Sequence, residues 1–318
     1  MEKPRIAYSE FAAQMKYADG SVASFIERRI KESRLPGARA IGQSGVYILR
    51  RMQREQLGSL MAAALKASDL IDYGRRRKAE GVCPATIKQD ISYLRGTMRD
   101  FVDLEELPKE VLLAFMASNR RMEKEQLVGK SAARERLPAE DELRQLREHF
   151  AKSNEHRSCT VDMVLGYDFL LASGRRISEM CRIERAHVNV ENRTCMLYNM
   201  KDPHGKGKHG EFALLGDAWT IVEKRLQEIG PEPTARLFPW RPQTVSSRGT
   251  SARKELKIIG LRTHDNRAAC FTKLLEQGYS IAQVQKGVSL HKDQKTLVNV
   301  YARIKAVDLH RGPASASR

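Results

Sequence analysis

The sequence predicts a mainly α-helical protein with one small antiparallel β-sheet, divided into two domains. Three observations carry this. Apolar residues recur at helical spacing through residues 21–121. A charged stretch with few apolar residues, 126–137, then interrupts the pattern. Beyond it helical patterns resume, but short alternating segments between 188 and 215 read as strands. A length of 318 residues suits two domains. A 41% hydrophobic content suits packed rather than disordered chain.

Each element follows from a local signal. From Ser21, Val22, Phe25, Ile26 and Ile30 mark one helical face, and Leu35-Pro36-Gly37 breaks it. Val46, Leu49 and Met52 mark a second helix. Ser68 and Asp69 are placed to cap a third, which ends in Arg75–Lys78 before Gly81. Pro84 opens a fourth, with Ile87, Ile91, Leu94 and Met98 on one stripe. A fifth runs roughly from Lys109 to Arg121. The predicted boundaries are a helical domain over 1–125, a linker over 126–137, a second domain over 138–310 and a flexible tail over 311–318. Acidic residues after Pro138 suit a helix start. The apolar run 161–174 predicts a buried helix ending at Gly174. Residues 188–198 read as two strands around a Glu191-Asn192 turn, and Glu211–Leu215 as a third strand after a polar loop. Helices are expected over 217–230 and from Ser246 to Ile258.

Charge bounds the function class. Lysine and arginine number 56 against 39 acidic residues, a formal net charge of +17. Such an excess points to nucleic acid as the partner. No basic amphipathic anchor stands out, and no apolar run approaches the ~20 residues of a spanning helix. The five cysteines are scattered, without a CxxC pair, so neither a disulfide framework nor a zinc site is expected. No secretory apolar stretch opens the sequence, and a reducing cytoplasm, with the protein on the nucleoid, is the expected setting. No metal or cofactor is expected.

The candidate chemistry is dispersed along the second domain. Arg175 and Arg176 follow a helix-ending glycine, with Glu179 one turn on. Lys201 opens the polar loop, which also holds Lys206 and Lys208. His264 and Arg267 lie three apart on a helix, and His291 and Tyr301 come near the end. Singly, each reads as ordinary surface or packing. Together, Gly-x-Arg-x-Ser-Glu, a lysine after a strand, His-x-x-Arg, His and a late Tyr resemble the tyrosine recombinases, also called phage-type integrases. The resemblance spans roughly 135–305, and the first domain more loosely. The run KDPHGKGKHGEFALL resembles the KDP…GN…VPL stretch of one integrase subgroup. Three departures stand out: Asp265-Asn266 replaces the usual Leu-Arg, Leu290 replaces the usual Gly before the second His, and the gap from His291 to Tyr301 is one residue longer than common.

The resemblance implies a helical core-binding domain followed by an α+β catalytic domain, clamped around double-stranded DNA at specific recombination sites. It implies catalytic roles for Arg176, Lys201, His264, Arg267, His291 and Tyr301, with Glu179 in support. Lys206 and Lys208 remain alternatives to Lys201. It implies a 3′-phosphotyrosyl intermediate, a homotetramer on DNA and, in some members, an accessory DNA-bending protein. Residues placed to touch DNA are Arg75, Arg76, Arg77, Lys78, Lys88, Arg95, Arg241 and Arg248. Physical logic supports the catalytic set independently. A phenol is activated by nearby cations, two guanidiniums fork onto phosphate oxygens, and imidazoles move protons near neutrality. No carboxylate pairs at metal-binding spacing accompany it. Two other readings stay open: a DNA-binding architectural relative with impaired catalysis, and a type IB topoisomerase-like enzyme.

Overall fold

The computed structural model describes residues 19–131, 136–156, 159–200 and 208–290. The chain forms two compact units, Met1–Ala132 and Ala133–Arg318. Among the described residues, no helix is long and apolar enough to cross a membrane.

The first unit is helical. Its long helices are α1 (Val22–Glu32), α2 (Gln43–Arg54), α3 (Ala67–Ala79), α4 (Pro84–Asp103) and α5 (Glu110–Lys124). The Ser21 hydroxyl caps α1 by accepting the Ser24 N–H at 3.2 Å. At α3 the capping differs from expectation. The helix starts after Lys66, and Asp69 accepts the Lys66 N–H from inside the first turn at 2.8 Å. Pro84 stands at the first position of α4, as its fixed φ and missing N–H favour. Ile87, Ile91, Leu94 and Met98 are all buried on the unit's core. The stretch expected to act as a linker is packed at its start, because Leu127 and Val128 join the same core.

One carboxylate ties three of these helices. Asp90 on α4 is fully buried and accepts from Tyr73 Oη at 2.8 Å, Arg51 Nη2 at 2.5 Å and Arg77 Nε at 3.4 Å. A buried carboxylate is tolerated when cations and hydrogen bonds surround it in this way.

The second unit carries α6 (Glu140–Asn154), α7 (Met163–Ser173), α8 (Asp217–Glu228), α9 (Pro242–Glu255) and α10 (Asp265–Glu276). A sheet of order β1 (Val188–Asn189), β2 (Thr194–Met200) and β3 (Lys208–Ala213) sits between α7 and α8 in the chain, with both pairings antiparallel. The inward residues Cys195, Leu197 and Phe212 are buried. β3 begins three residues earlier than expected and ends at Ala213, because β2 continues to Met200 and pairs it with Lys208. α9 likewise starts at Pro242 rather than Ser246, which puts Arg241 at the helix N-terminus. Past α10, a turn at Ile281–Gln283 runs into a π-helical segment, Val284–Ser289. Val284 and Val288 pack there on Phe271 and Leu274 of α10.

Replacing Asp90 with Ala removes the buried acceptor that Arg51, Arg77 and Tyr73 share. The expected cost is about 3 kcal/mol or more in the urea transition of the first unit, with Asp90→Asn costing less. Equal transitions for Asp90→Ala and wild type would count against this role.

Candidate active site

The site begins at the end of α7. Gly174 adopts the left-handed conformation, φ 61°, and its N–H donates to Leu170 O at 3.1 Å. A Cβ here would lie 2.6 Å from a Phe271 ring carbon, so both backbone and space require glycine. The turn sends its two arginines in different directions. Arg175 goes inward and is 3% exposed. Arg176 precedes the one-turn helix Ile177–Met180, with its side chain 38% exposed.

Glu179 joins the two halves of this turn. Its carboxylate accepts the Arg176 N–H at 3.0 Å and Arg176 Nη1 at 2.5 Å. Burial alone would push its pKa up. The charges of Arg175, then Arg176, outweigh that and hold the carboxyl below its ordinary range.

The second half of the site comes from α10. His264 occupies the N-cap position, and Asp265 Oδ2 accepts the Arg262 N–H at 2.8 Å, which fixes the approach of the chain. Arg267 is 2% exposed. Its Nη1 donates to Gly174 O and its Nη2 to Ser289 O at 2.9 Å, with the guanidinium 4.8 Å from the Phe271 ring centre. The helix is thus bonded to the glycine turn and to the end of the π-helical segment at once.

His264 has an exposed edge, but the protein desolvates the ring. That burial first, then Arg267 and Arg176, lower its pKa from 6.5. At neutral pH it is therefore an uncharged imidazole beside cations. The structure brings Arg176, Glu179, His264 and Arg267 into one electrostatic neighbourhood.

The unusual pair between His264 and Arg267 is accounted for by packing. Asp265 makes the capping bond already described, and buried Asn266 accepts from Tyr167 Oη at 3.1 Å. Both side chains serve the inside of the unit. Leu290 takes φ 56°, the left-handed region that glycine adopts freely and a branched side chain does not.

Four sequence candidates, Lys201, Lys206, His291 and Tyr301, lie outside the described residues. Lys208 opens β3, and its side chain is outside them too. Sequence reasoning passed over Arg175 as a site residue. Nothing in Gly174-Arg175-Arg176 signals which arginine turns inward.

The expected DNA-contacting residues divide. Arg77 is a correction: it is buried, held by Asp90 and Glu80. Arg75 pairs with Glu125 and Asp72, Arg76 with Glu55 and Lys88 with Glu123, while Lys78 donates to Glu125 O at 3.4 Å. Arg248 donates to Cys159 Sγ at 2.8 Å. Arg95 and Arg241 are exposed.

Folding lowers the His264 pKa, so as pH falls the unfolded chain takes up this proton first. His264 therefore contributes a loss of stability below about pH 6.5. In a histidine C–H NMR titration the His264 midpoint is expected below 6.5, rising in Arg176→Gln. A midpoint at or above 6.5 in wild type would contradict the cationic surroundings.

Comparison with known proteins places this geometry. Among curated proteins no sequence matches the chain. Solved structures share its fold at low identity. A Tn1549 transposon integrase in complex with a circular intermediate DNA is 13% identical, with a TM-score of 0.66 over 92% of this chain and 98% of that one. A lambda integrase dimer bound to a COC′ core site is 16% identical, with a TM-score of 0.62 over 87% and 97%. A lambda integrase tetramer bound to a Holliday junction is 17% identical, with a TM-score of 0.63 over 93% and 82%. The family model described as the phage integrase family matches residues 137–307, a span containing all six catalytic candidates. With more than half of its 318 residues matched, the chain belongs to the phage integrase family, the tyrosine-type site-specific recombinases.

Proposed function

We propose that the chain cuts and rejoins double-stranded DNA at specific sites through a covalent 3′-phosphotyrosyl link to Tyr301, without a metal ion. One observation carries the reading. Buried Arg175 and Arg267 and the partly exposed Arg176 share one neighbourhood with the carboxylates Glu179 and Asp265, beside an uncharged His264 at the surface. Cations outnumber anions there, and such a site favours a phosphodiester and its more highly charged transition state.

The roles follow from the chemistry of each group. Arg176, partly exposed and aimed by Glu179, offers a fork to the non-bridging oxygens. Arg267 adds its fixed charge from below. Neutral His264 donates an N–H to the phosphate or accepts the phenol proton as Tyr301 Oη attacks phosphorus. As the new P–O bond forms, the bond to the 5′ oxygen breaks, and Lys201, Lys206 or Lys208 returns a proton to that oxygen. Rejoining reverses each step. The guanidiniums neutralise developing charge on the phosphate, a task that metal ions perform in other phosphoryl-transfer enzymes.

DNA is the proposed partner because +17 net charge accompanies this anion site. The helical unit is proposed to grip the duplex, and the second unit to carry the chemistry. The lambda integrase tetramer bound to a Holliday junction, which shares the fold, supports a tetrameric assembly. Leu290 in a glycine-type conformation is the feature that favours the second reading, a DNA-binding relative with impaired catalysis.

A duplex nicked within the chain's own recombination site tests the reading. Wild type is expected to trap as a covalent adduct, Tyr301→Phe not at all, and Arg176→Ala at a rate about 10²–10³-fold lower. No wild-type adduct on a verified site would overturn the proposal. Affinity for that duplex is also expected to fall steeply as salt rises, and a flat salt response would argue against phosphate contact.

A further inference from the structure

The π-helical segment Val284–Ser289 ends beside the glycine turn, and its last carbonyls are capped by side chains rather than backbone. Arg175 Nη2 donates to Val288 O, and Arg267 Nη2 donates to Ser289 O at 2.9 Å. Two buried guanidiniums thus hold consecutive carbonyls, where a helix C-terminus leaves acceptors unmet and favours cations. The Leu290 N–H closes the segment by donating to Gln285 O at 2.8 Å.

Arg175 is itself closely fixed. Its Nε donates to Ser173 O at 3.3 Å, and its guanidinium lies 4.4 Å from the Phe212 ring centre on β3. It therefore links the end of α7, the sheet and the end of the π-helical segment. Burial first, then the neighbouring charge of Arg267, lower its pKa to about 9, which still leaves it charged at neutral pH.

We infer that Arg175 is a positioning residue: by holding the Val288 carbonyl, it fixes the π-helical segment that precedes the proposed nucleophile in sequence, and the rate of covalent attack depends on that hold. This rests on the proposed recombinase chemistry for its consequence, though not for the contact itself. Arg176 meets the substrate, whereas its neighbour in sequence acts through the backbone.

The test uses the full chain and two readouts. Hydrogen–deuterium exchange is followed in peptides from 284–290, with α6 and α8 peptides as internal controls. Covalent adduct formation is followed on the nicked duplex carrying the chain's own site. Arg175→Met is expected to speed exchange in 284–290 at least tenfold with the control peptides unchanged. It is also expected to slow adduct formation at least tenfold. Arg175→Lys, which retains a charged donor, is expected to recover at least half of each effect on a logarithmic scale. Where Arg175→Met does not fold, Arg175→Gln is read by the same criteria. Unchanged exchange in 284–290 overturns the inference, as does equal loosening of α6 and α8 or a loosened segment with an unchanged adduct rate. If wild type forms no adduct, the recombinase reading falls, and the exchange arm alone decides whether Arg175 holds the segment.

Discussion

The bond pair from Arg267 to the carbonyls of Gly174 and Ser289 is the constraint on which the catalytic unit depends. It places a permanent charge where water is largely excluded, which is costly unless every side of the ion is answered. The carbonyls answer two of its N–H groups, and the Phe271 ring meets the guanidinium on another side. A planar fork can make both bonds at once, and an ammonium group cannot match that geometry. Low polarity around the ion then strengthens its pull on any phosphate that arrives. Gly174 is part of the same arrangement, because only a residue without a side chain lets Phe271 and Cys270 come so close.

Much of the positive excess serves structure. Arg28 is held by Glu32 and Glu106 and lies against Phe101. Arg51 and Arg77 share Asp90, and Arg253 is buried with bonds to Thr263 and Thr250. Long basic side chains pack their stems against apolar surface and bring cations to buried acids. Net charge therefore identifies the class of partner better than it identifies the residues that touch it. Exposed arginines such as Arg95 and Arg241 are better placed for that contact than the paired Arg75–Arg77 cluster.

The helices were legible because their signals are local. The stripe from Ile87 to Met98, the Pro84 start and the Gly174 stop each act within a turn or two of chain. The π-helical segment was not, since its geometry depends on Arg175 and Arg267 reaching it from 113 and 22 residues away. The strand limits at Lys208 and Ala213 were missed for the same reason, because pairing with β2 overrides the glycine-rich composition of that stretch. In the site, Arg176, His264 and Arg267 were legible as members of an ordered pattern. Asp265 and Asn266 looked like damage to that pattern, and only the Arg262 and Tyr167 contacts reveal their work. Arg175 shares its composition and its neighbourhood with Arg176, and which of two adjacent arginines is buried is decided by packing that no short window contains.

The contact between Arg267 and Gly174 spans 93 residues of sequence, and that to Ser289 lies further along still. A chain emerging from the ribosome lacks the second anchor until Ser289 has been synthesised. Segments so far apart meet late, after the local helices have formed. The surroundings of Arg267 are therefore completed only when segments on both sides of it, from Gly174 to Ser289, have folded together.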